Sequence, residues 1–147
     1  MQRSHLPDRE RLASALADSL YKTIFSGGLR ITPRRVQQIA RQIAATFSHF
    51  AAEGDEQKVQ AQGRTLAADG LGPPSILALS ETLCRSQNGT GSNPDLATRF
   101  IVAMLGGYMT EREKRIVREQ ERIRRAWQRT LESRRGTAQN VGFIADG

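Results

Sequence analysis

Residues 94–135 read PDLATRFIVAMLGGYMTEREKRIVREQERIRRAWQRTLESRR, and this stretch decides the fold. Asn93–Pro94 at its start combines a capping side chain with a proline at the first helical position, which is a typical helix start. Before Gly136, only Gly106–Gly107 disfavours a helix, at about 1 kcal/mol for each glycine. We therefore predict one helix of roughly 60 Å, with the glycine pair as the place where it would bend.

The two halves of this helix differ in composition. The first half is apolar enough to belong to a protein core, through Leu96, Phe100, Ile101, Ala103, Met104 and Leu105. The second half is charged, because residues 111–135 hold ten Lys/Arg against five Asp/Glu in a chain whose net charge is +7. A head of about 100 residues has a radius of gyration near 13 Å, so we expect the charged half to project beyond it.

The chain before this helix divides into shorter helices. Gly27–Gly28, Thr32–Pro33, Gly54–Asp55 and the GLGPP run at 70–74 mark their ends, because Gly and Pro interrupt helices while Thr and Asp cap them. Ser75 is the predicted cap of the fourth helix. Between these positions apolar residues recur at helical spacing, as in Leu12, Leu16, Leu20 and Ile24, or in Val36, Ile39, Ile43, Phe47 and Phe50.

These patterns predict an all-α fold. We expect a compact helical bundle of about five helices, the last one long and projecting as a coiled-coil stalk. The predicted divisions are a helical head over residues 1–107, a projecting coiled-coil helix over 108–135 and a flexible tail over 136–147. A single head is expected because 147 residues are one ordinary domain.

A heptad pattern runs along the charged half of the helix. One row of residues recurs every seven positions, and a second row follows it four positions later. Together they predict a dimer seam formed by Met109, Ile116, Gln120, Ile123, Trp127 and Thr130. Because the second row is mostly polar, the seam suits an adjustable parallel homodimer. Glu121 and Arg125 are spaced for a favourable pair worth about 0.2 to 0.5 kcal/mol.

Two other interpretations of the charged helix stay open. Its charges can simply keep a solvated helix soluble. Its arginines can also follow nucleic-acid phosphates, and about six such contacts would make binding steeply salt-dependent. Five interleaved acids argue against nucleic acid, as does the lack of aromatic stacking residues other than Trp127.

The sequence offers no catalytic set and no cofactor or metal site. No Ser/His/Asp arrangement, carboxylate pair or phosphate-binding glycine loop can be assembled, so we expect a non-enzymatic protein. With Cys84 as the single cysteine and His5 and His49 as the only histidines, a zinc site is not expected. His49 invites a haem hypothesis, but it lies beside the apolar stripe, which favours an ordinary surface histidine. Cys84 is expected to be a buried inert thiol rather than a redox sensor.

A small apolar ligand is the remaining binding hypothesis for the head. Helical bundles can hold such ligands between their helices. The residues predicted to line this pocket are Phe25, Phe47, Phe50, Phe100 and Met104. A plain packed core is the competing prediction for the same residues.

Targeting signals are not apparent in the sequence. The N-terminus MQRSHLPDRERLASALADSL lacks the apolar run of a secretory signal. No stretch of about 18 apolar residues is present to cross a membrane. We therefore expect a cytoplasmic protein without membrane partners.

Two segments carry a resemblance to a known family. GDEQKVQAQGRTLAADGLGPPSILAL (54–79) and YMTEREKRIVREQERIRRAWQRTLES (108–133) resemble parts of the N-terminal sensory domains of bacterial RsbR-type stressosome and related signalling proteins. The resemblance covers roughly residues 10–135. It implies a non-haem, globin-like or bundle-like sensory head, dimerisation, and a linker helix that feeds a STAS, GAF or kinase domain.

The chain departs from this family pattern at its end. After Arg135 only GTAQNVGFIADG remains, which is too short for an output domain. We expect either an excised sensor or a domain that acts in trans through its helix. The function expected from the sequence is thus a sensory input domain that dimerises and relays a signal to an output domain or partner protein. The alternative is a basic helical nucleic-acid-binding protein.

Overall fold

The computed structural model describes the backbone of residues 2–27, 31–87 and 93–146, and the side chains within 9–24, 31–87 and 93–136. All regular structure in these ranges is α-helical, which confirms the all-α prediction with a long final helix. The five helices are α1 (Gln2–Gly27), α2 (Pro33–Glu53), α3 (Glu56–Ala68), α4 (Pro73–Ser86) and α5 (Pro94–Asp146). None of the described helices is long and apolar enough to span a membrane.

The predicted helix starts at Thr32 and Asn93 are confirmed by their hydrogen bonds. The Arg35 backbone N–H donates to the Thr32 hydroxyl oxygen over 3.2 Å, and Pro33 follows the cap as the first helical residue. The Leu96 backbone N–H likewise donates to the Asn93 side-chain oxygen over 3.3 Å. Each cap satisfies one of the amide groups that a helix N-terminus leaves without a partner.

The structure differs from the sequence prediction at the start of the fourth helix and at the end of the last one. The fourth helix begins at Pro73 after Gly72, not after a Ser75 cap, because proline has no N–H to satisfy in the first turn. Ser75 is instead buried, and its hydroxyl is 2.9 Å from that of Thr23 on α1. The last helix continues past Gly136, since one glycine costs a helix only about 1 kcal/mol. The side chains of the predicted tail beyond Gly136 lie outside the described residues.

The core of the first 112 residues is one cluster of apolar side chains from all five helices. α1 packs against α2 and α4, and α2 packs against α3. The apolar stripe predicted for α2 is buried in full, and α5 contributes Phe100, Ala103, Met104 and Tyr108. The 3.6-residue period of the sequence therefore identified the buried faces correctly.

The chain divides into two compact units, Met1–Arg112 and Glu113–Gly147. Tyr108, one residue beyond the head predicted over residues 1–107, also belongs to the core of the first unit. Within the second unit, every described side chain from 113 to 135 is exposed.

Candidate functional site

Two glycines bring the backbones of α3 and α5 into direct contact inside the first unit. A Cβ atom added at Gly63 would overlap the backbone carbonyl of Met104 and lie 2.8 Å from the backbone nitrogen of Tyr108. A Cβ atom added at Gly107 would likewise overlap the backbone carbonyl of Gln60. Only glycine permits so close an approach between two helices. This contact fixes where the part of α5 around Gly107 lies against α3.

Tyr108 fastens the same part of α5. Its hydroxyl donates to the backbone carbonyl of Leu71, in the turn between α3 and α4, over 2.6 Å. The residue is only 3% exposed, and this burial raises the pKa of the Tyr108 phenol, while the positive charge of Arg112 opposes the rise. Hence the neutral hydroxyl is the form that fits this site.

The sequence pattern treated the glycine pair of α5 as a possible bend and did not single out Gly63. In the structure the two glycines of the pair have different surroundings. Gly106 is exposed, and a Cβ atom added to it would meet no atom within 4 Å, whereas Gly107 faces α3. The sequence does hold a signal for Gly63. It falls four residues after Val59 and three before Leu66, so it shares one face of α3 with these two apolar residues.

The residues predicted to line a ligand pocket form part of the packed core. The Phe47 and Phe100 rings meet edge to face with centroids 5.1 Å apart, and the Phe50 ring lies 5.8 Å from that of Phe100. Met104 is fully buried beside them in the same cluster. The side chain of the fifth predicted residue, Phe25, lies outside the described residues. The four described residues therefore fit the competing prediction of a plain core.

An open groove does exist, but at a different place. It has a volume of about 270 Å³ and lies between α3 and α5. None of the four predicted pocket residues with described side chains lines it. Its walls are Glu56, Gln60, Thr98, Arg99, Val102, Ala103 and Gly106. The Arg99 guanidinium also lies 5.5 Å from the centre of the Phe50 ring, within the range of a cation–π contact. The groove is thus bordered by charged and amide side chains as well as by the apolar Val102.

The predicted seam residues are all exposed on α5. Large apolar side chains among them have exposures of 64% at Met109, 45% at Ile116, 50% at Ile123 and 60% at Trp127. The two polar members, Gln120 and Thr130, are exposed as well, and the Thr130 hydroxyl donates to a carbonyl of its own helix over 2.9 Å. The seam as an interface stays a prediction, and its residues are accessible to a partner.

Two further exposed apolar residues on the second unit were not part of the predicted seam. Val117 and Leu131 each follow a seam residue directly and are also about half exposed. Their signal was their separation of two heptads, with Arg124 at the position between them. They widen the apolar face of this helix on one side.

Charged side chains make up much of the remaining surface of residues 113–135. The predicted pair between Glu121 and Arg125 is confirmed, with 3.4 Å between its nitrogen and oxygen atoms. Both side chains are about half exposed or more, so the pair is worth little in stability.

The two residues weighed for special chemistry lie at the surface of the head. His49 is partly exposed, and its Nε2 lies 3.1 Å from the Lys58 ammonium and 3.5 Å from a Glu53 carboxylate oxygen. Cys84 is exposed, so the expectation of a buried thiol is wrong. It lies one residue beyond Leu83, the last buried position of α4, and one residue turns the helix by about 100°. Among the described residues, no three His, Cys, Asp or Glu side chains are grouped as a metal site.

Comparisons with protein-family models, with curated proteins and with solved structures return no match to this chain.

Proposed function

We propose that this chain is a non-enzymatic, cytoplasmic sensory domain that forms a homodimer and passes a signal through α5 to an output domain or partner protein. The observation that carries the proposal is the row of exposed apolar side chains on the charged part of α5. Ile116, Ile123 and Trp127 expose between 45% and 60% of their area and fall at heptad positions. Apolar side chains arranged in this way are typical of helices that pack against another helix.

A second helix would also explain how so polar a segment is stable. Isolated helices in water gain little from their own hydrogen bonds and depend on packing of an apolar face. The side chains of 113–135 are all exposed within this chain. A parallel partner helix would cover Ile116 and Ile123 while leaving the arginines in water.

The head supplies a route for the signal to reach α5. One turn of α5 is held at two places. The contacts at Gly63 and Gly107 hold it against α3, and the Tyr108 hydrogen bond holds it to the turn between α3 and α4. Backbones in direct contact cannot absorb a shift by side-chain rearrangement. A ligand or partner that moves α3 would therefore move α5 along with it, and a homodimeric helix pair would change its register.

The dimer is tested by sedimentation equilibrium on the full chain. Ile116→Asp and Ile123→Asp, singly and together, place a charge in the proposed seam, and we expect the mass to fall from dimer to monomer. Gln128→Asp is the matched control, because it adds the same charge at an exposed position of the same helix outside the seam. It should leave the mass unchanged.

A wild-type mass equal to one chain at every concentration would refute the homodimer. Equal effects of Ile123→Asp and Gln128→Asp would refute the seam. Thermal unfolding gives a second check, since the melting temperature of a dimer rises with protein concentration and that of a monomer does not.

A further inference from the structure

Five arginines form a continuous row along the second unit of the chain. Their positions alternate by three and four residues, which keeps the side chains on one face of a helix. We call Arg115, Arg118, Arg122, Arg125 and Arg129 the arginine row. All five side chains are exposed, and the row is roughly 21 Å long at 1.5 Å per residue.

The arginine row is unfavourable for the free helix. Like charges three or four residues apart on a helix repel each other. Arg125 pairs with Glu121, and Arg115 also has an interaction within the chain. Within the described part of the chain no carboxylate pairs with Arg118, Arg122 or Arg129. An anionic partner would therefore remove repulsion as well as add attraction.

The row and the proposed seam occupy different sides of the helix. At about 100° per residue, the mean direction of the row is roughly 140° from that of Ile116, Ile123 and Trp127. The row stays accessible whether the seam is covered or not. A surface of this kind can act on a partner without competing with dimerisation.

We propose that the arginine row is the docking surface for an acidic α-helix of a protein partner. A guanidinium binds a carboxylate through two parallel hydrogen bonds, which gives both strength and fixed geometry. The alternating spacing repeats the heptad period, so a partner helix with carboxylates at the same spacing stays in register along the full row. This proposal extends the proposed function, because it specifies that the partner receiving the signal carries an acidic helix. Only the signalling role of that partner rests on the proposed function.

Charge distribution favours a protein helix over nucleic acid. The row is a single line with Glu111 before it, Glu132 after it, and Glu119 and Glu121 on neighbouring faces of the helix. This arrangement matches an oppositely charged line of limited length and width. A duplex offers phosphates on both sides of the helix that enters its groove, and single strands are bound with aromatic stacking. The aromatic residue of this segment, Trp127, belongs to the seam side instead.

The test uses the full chain and two synthetic alanine-based peptides of equal length and glutamate content. One peptide carries its glutamates at alternating spacings of three and four residues, and the other distributes them around the helix. Fluorescence anisotropy at about 0.15 M salt, where charges are screened beyond about 8 Å, measures both affinities. We expect the patterned peptide to bind at least about tenfold more tightly.

Two double variants with the same change in charge assign the binding to the row. Arg118→Glu with Arg122→Glu should abolish the preference for the patterned peptide. Arg124→Glu with Arg135→Glu changes exposed arginines outside the row and should keep it. Circular dichroism checks that both variants retain the helix.

Equal affinity for the two peptides, or a preference that survives in the row variant, would overturn the proposal. If a DNA duplex binds more tightly than the patterned peptide, and Arg118→Glu with Arg122→Glu abolishes this binding, the row is a nucleic-acid surface and the proposal is overturned. Sedimentation equilibrium on the same samples measures whether the chain is a dimer, independently of which partner it binds. A monomeric chain that still prefers the patterned peptide would remove the dimer and keep the docking surface.

Discussion

Large apolar side chains in the first unit are mostly buried, whereas from Glu113 to Arg135 every one of them is exposed. Phe100 has no accessible surface, and Trp127 exposes 60% of its own. Both residues lie on the same helix and follow helical spacing. This difference shows that an apolar stripe predicts packing against another surface. Which surface it packs against depends on what the rest of the chain provides. In the head, α2 and α3 contact the stripe of α5. The described part of the second unit supplies no such surface to itself.

The comparison between Phe100 and Trp127 carries the largest expected effect. Phe100→Ala should lower the free energy of unfolding of the head by about 3 to 5 kcal/mol, because it leaves a cavity among packed rings. Trp127→Ala should change it by no more than about 0.5 kcal/mol, as expected for an exposed residue. Urea unfolding followed by circular dichroism, at protein concentrations low enough for monomers, measures both. Similar losses for the two variants would show that the second unit buries Trp127 within the same chain.

The glycines of α3 and α5 give the next effect in size. Gly63→Ala forces a methyl group into the Met104 backbone and should cost about 1 to 3 kcal/mol or more. Gly106→Ala is the matched control, because its methyl group meets no atom within 4 Å. It should stabilise the helix by about 0.5 to 1 kcal/mol. Two changes of equal sign in the urea midpoint would contradict the close approach of α3 and α5.

The Tyr108 hydroxyl gives the smallest effect, and one that depends on pH. Tyr108→Phe leaves the Leu71 carbonyl without its donor and should cost about 1 kcal/mol. The pKa of Tyr108 is raised in the folded head above its unfolded value of about 10, so its stabilisation is complete below that value and is lost as the pH rises through the folded pKa.

Unfolding experiments between neutral and alkaline pH check this sign. The wild type should lose stability above about pH 10 more steeply than Tyr108→Phe does. An identical pH profile for wild type and Tyr108→Phe would contradict a buried, neutral hydroxyl at this site.

Much of the fold follows from local features of the chain. Thr32 and Asn93 cap helices because a short polar side chain before a proline can reach the free amides of the first turn. The stripe of α2 is buried because its apolar residues repeat with the period of the helix. Such features depend on neighbours in sequence and are therefore visible in it.

Contacts between distant residues were not predictable in the same way. The sequence placed the Phe47 and Phe100 rings on inward faces, but it could not say whether they would enclose a pocket or fill the space between them. Ser75 could cap α4 or bury its hydroxyl against Thr23, and the second arrangement is the one found. In both cases the outcome depends on shapes and distances that only the assembled helices provide.

The long final helix shows both contributions. The sequence by itself determined that residues from Pro94 onward form a helix, that its first half is apolar, and that its second half carries a heptad row and an excess of arginine. Tertiary structure decided that Gly107 rather than Gly106 is the contact with α3, and that Tyr108 closes the head by bonding to Leu71. Periodicity and charge are properties of one helix, whereas a backbone contact or a buried hydrogen bond needs two segments that the chain brings together only by folding.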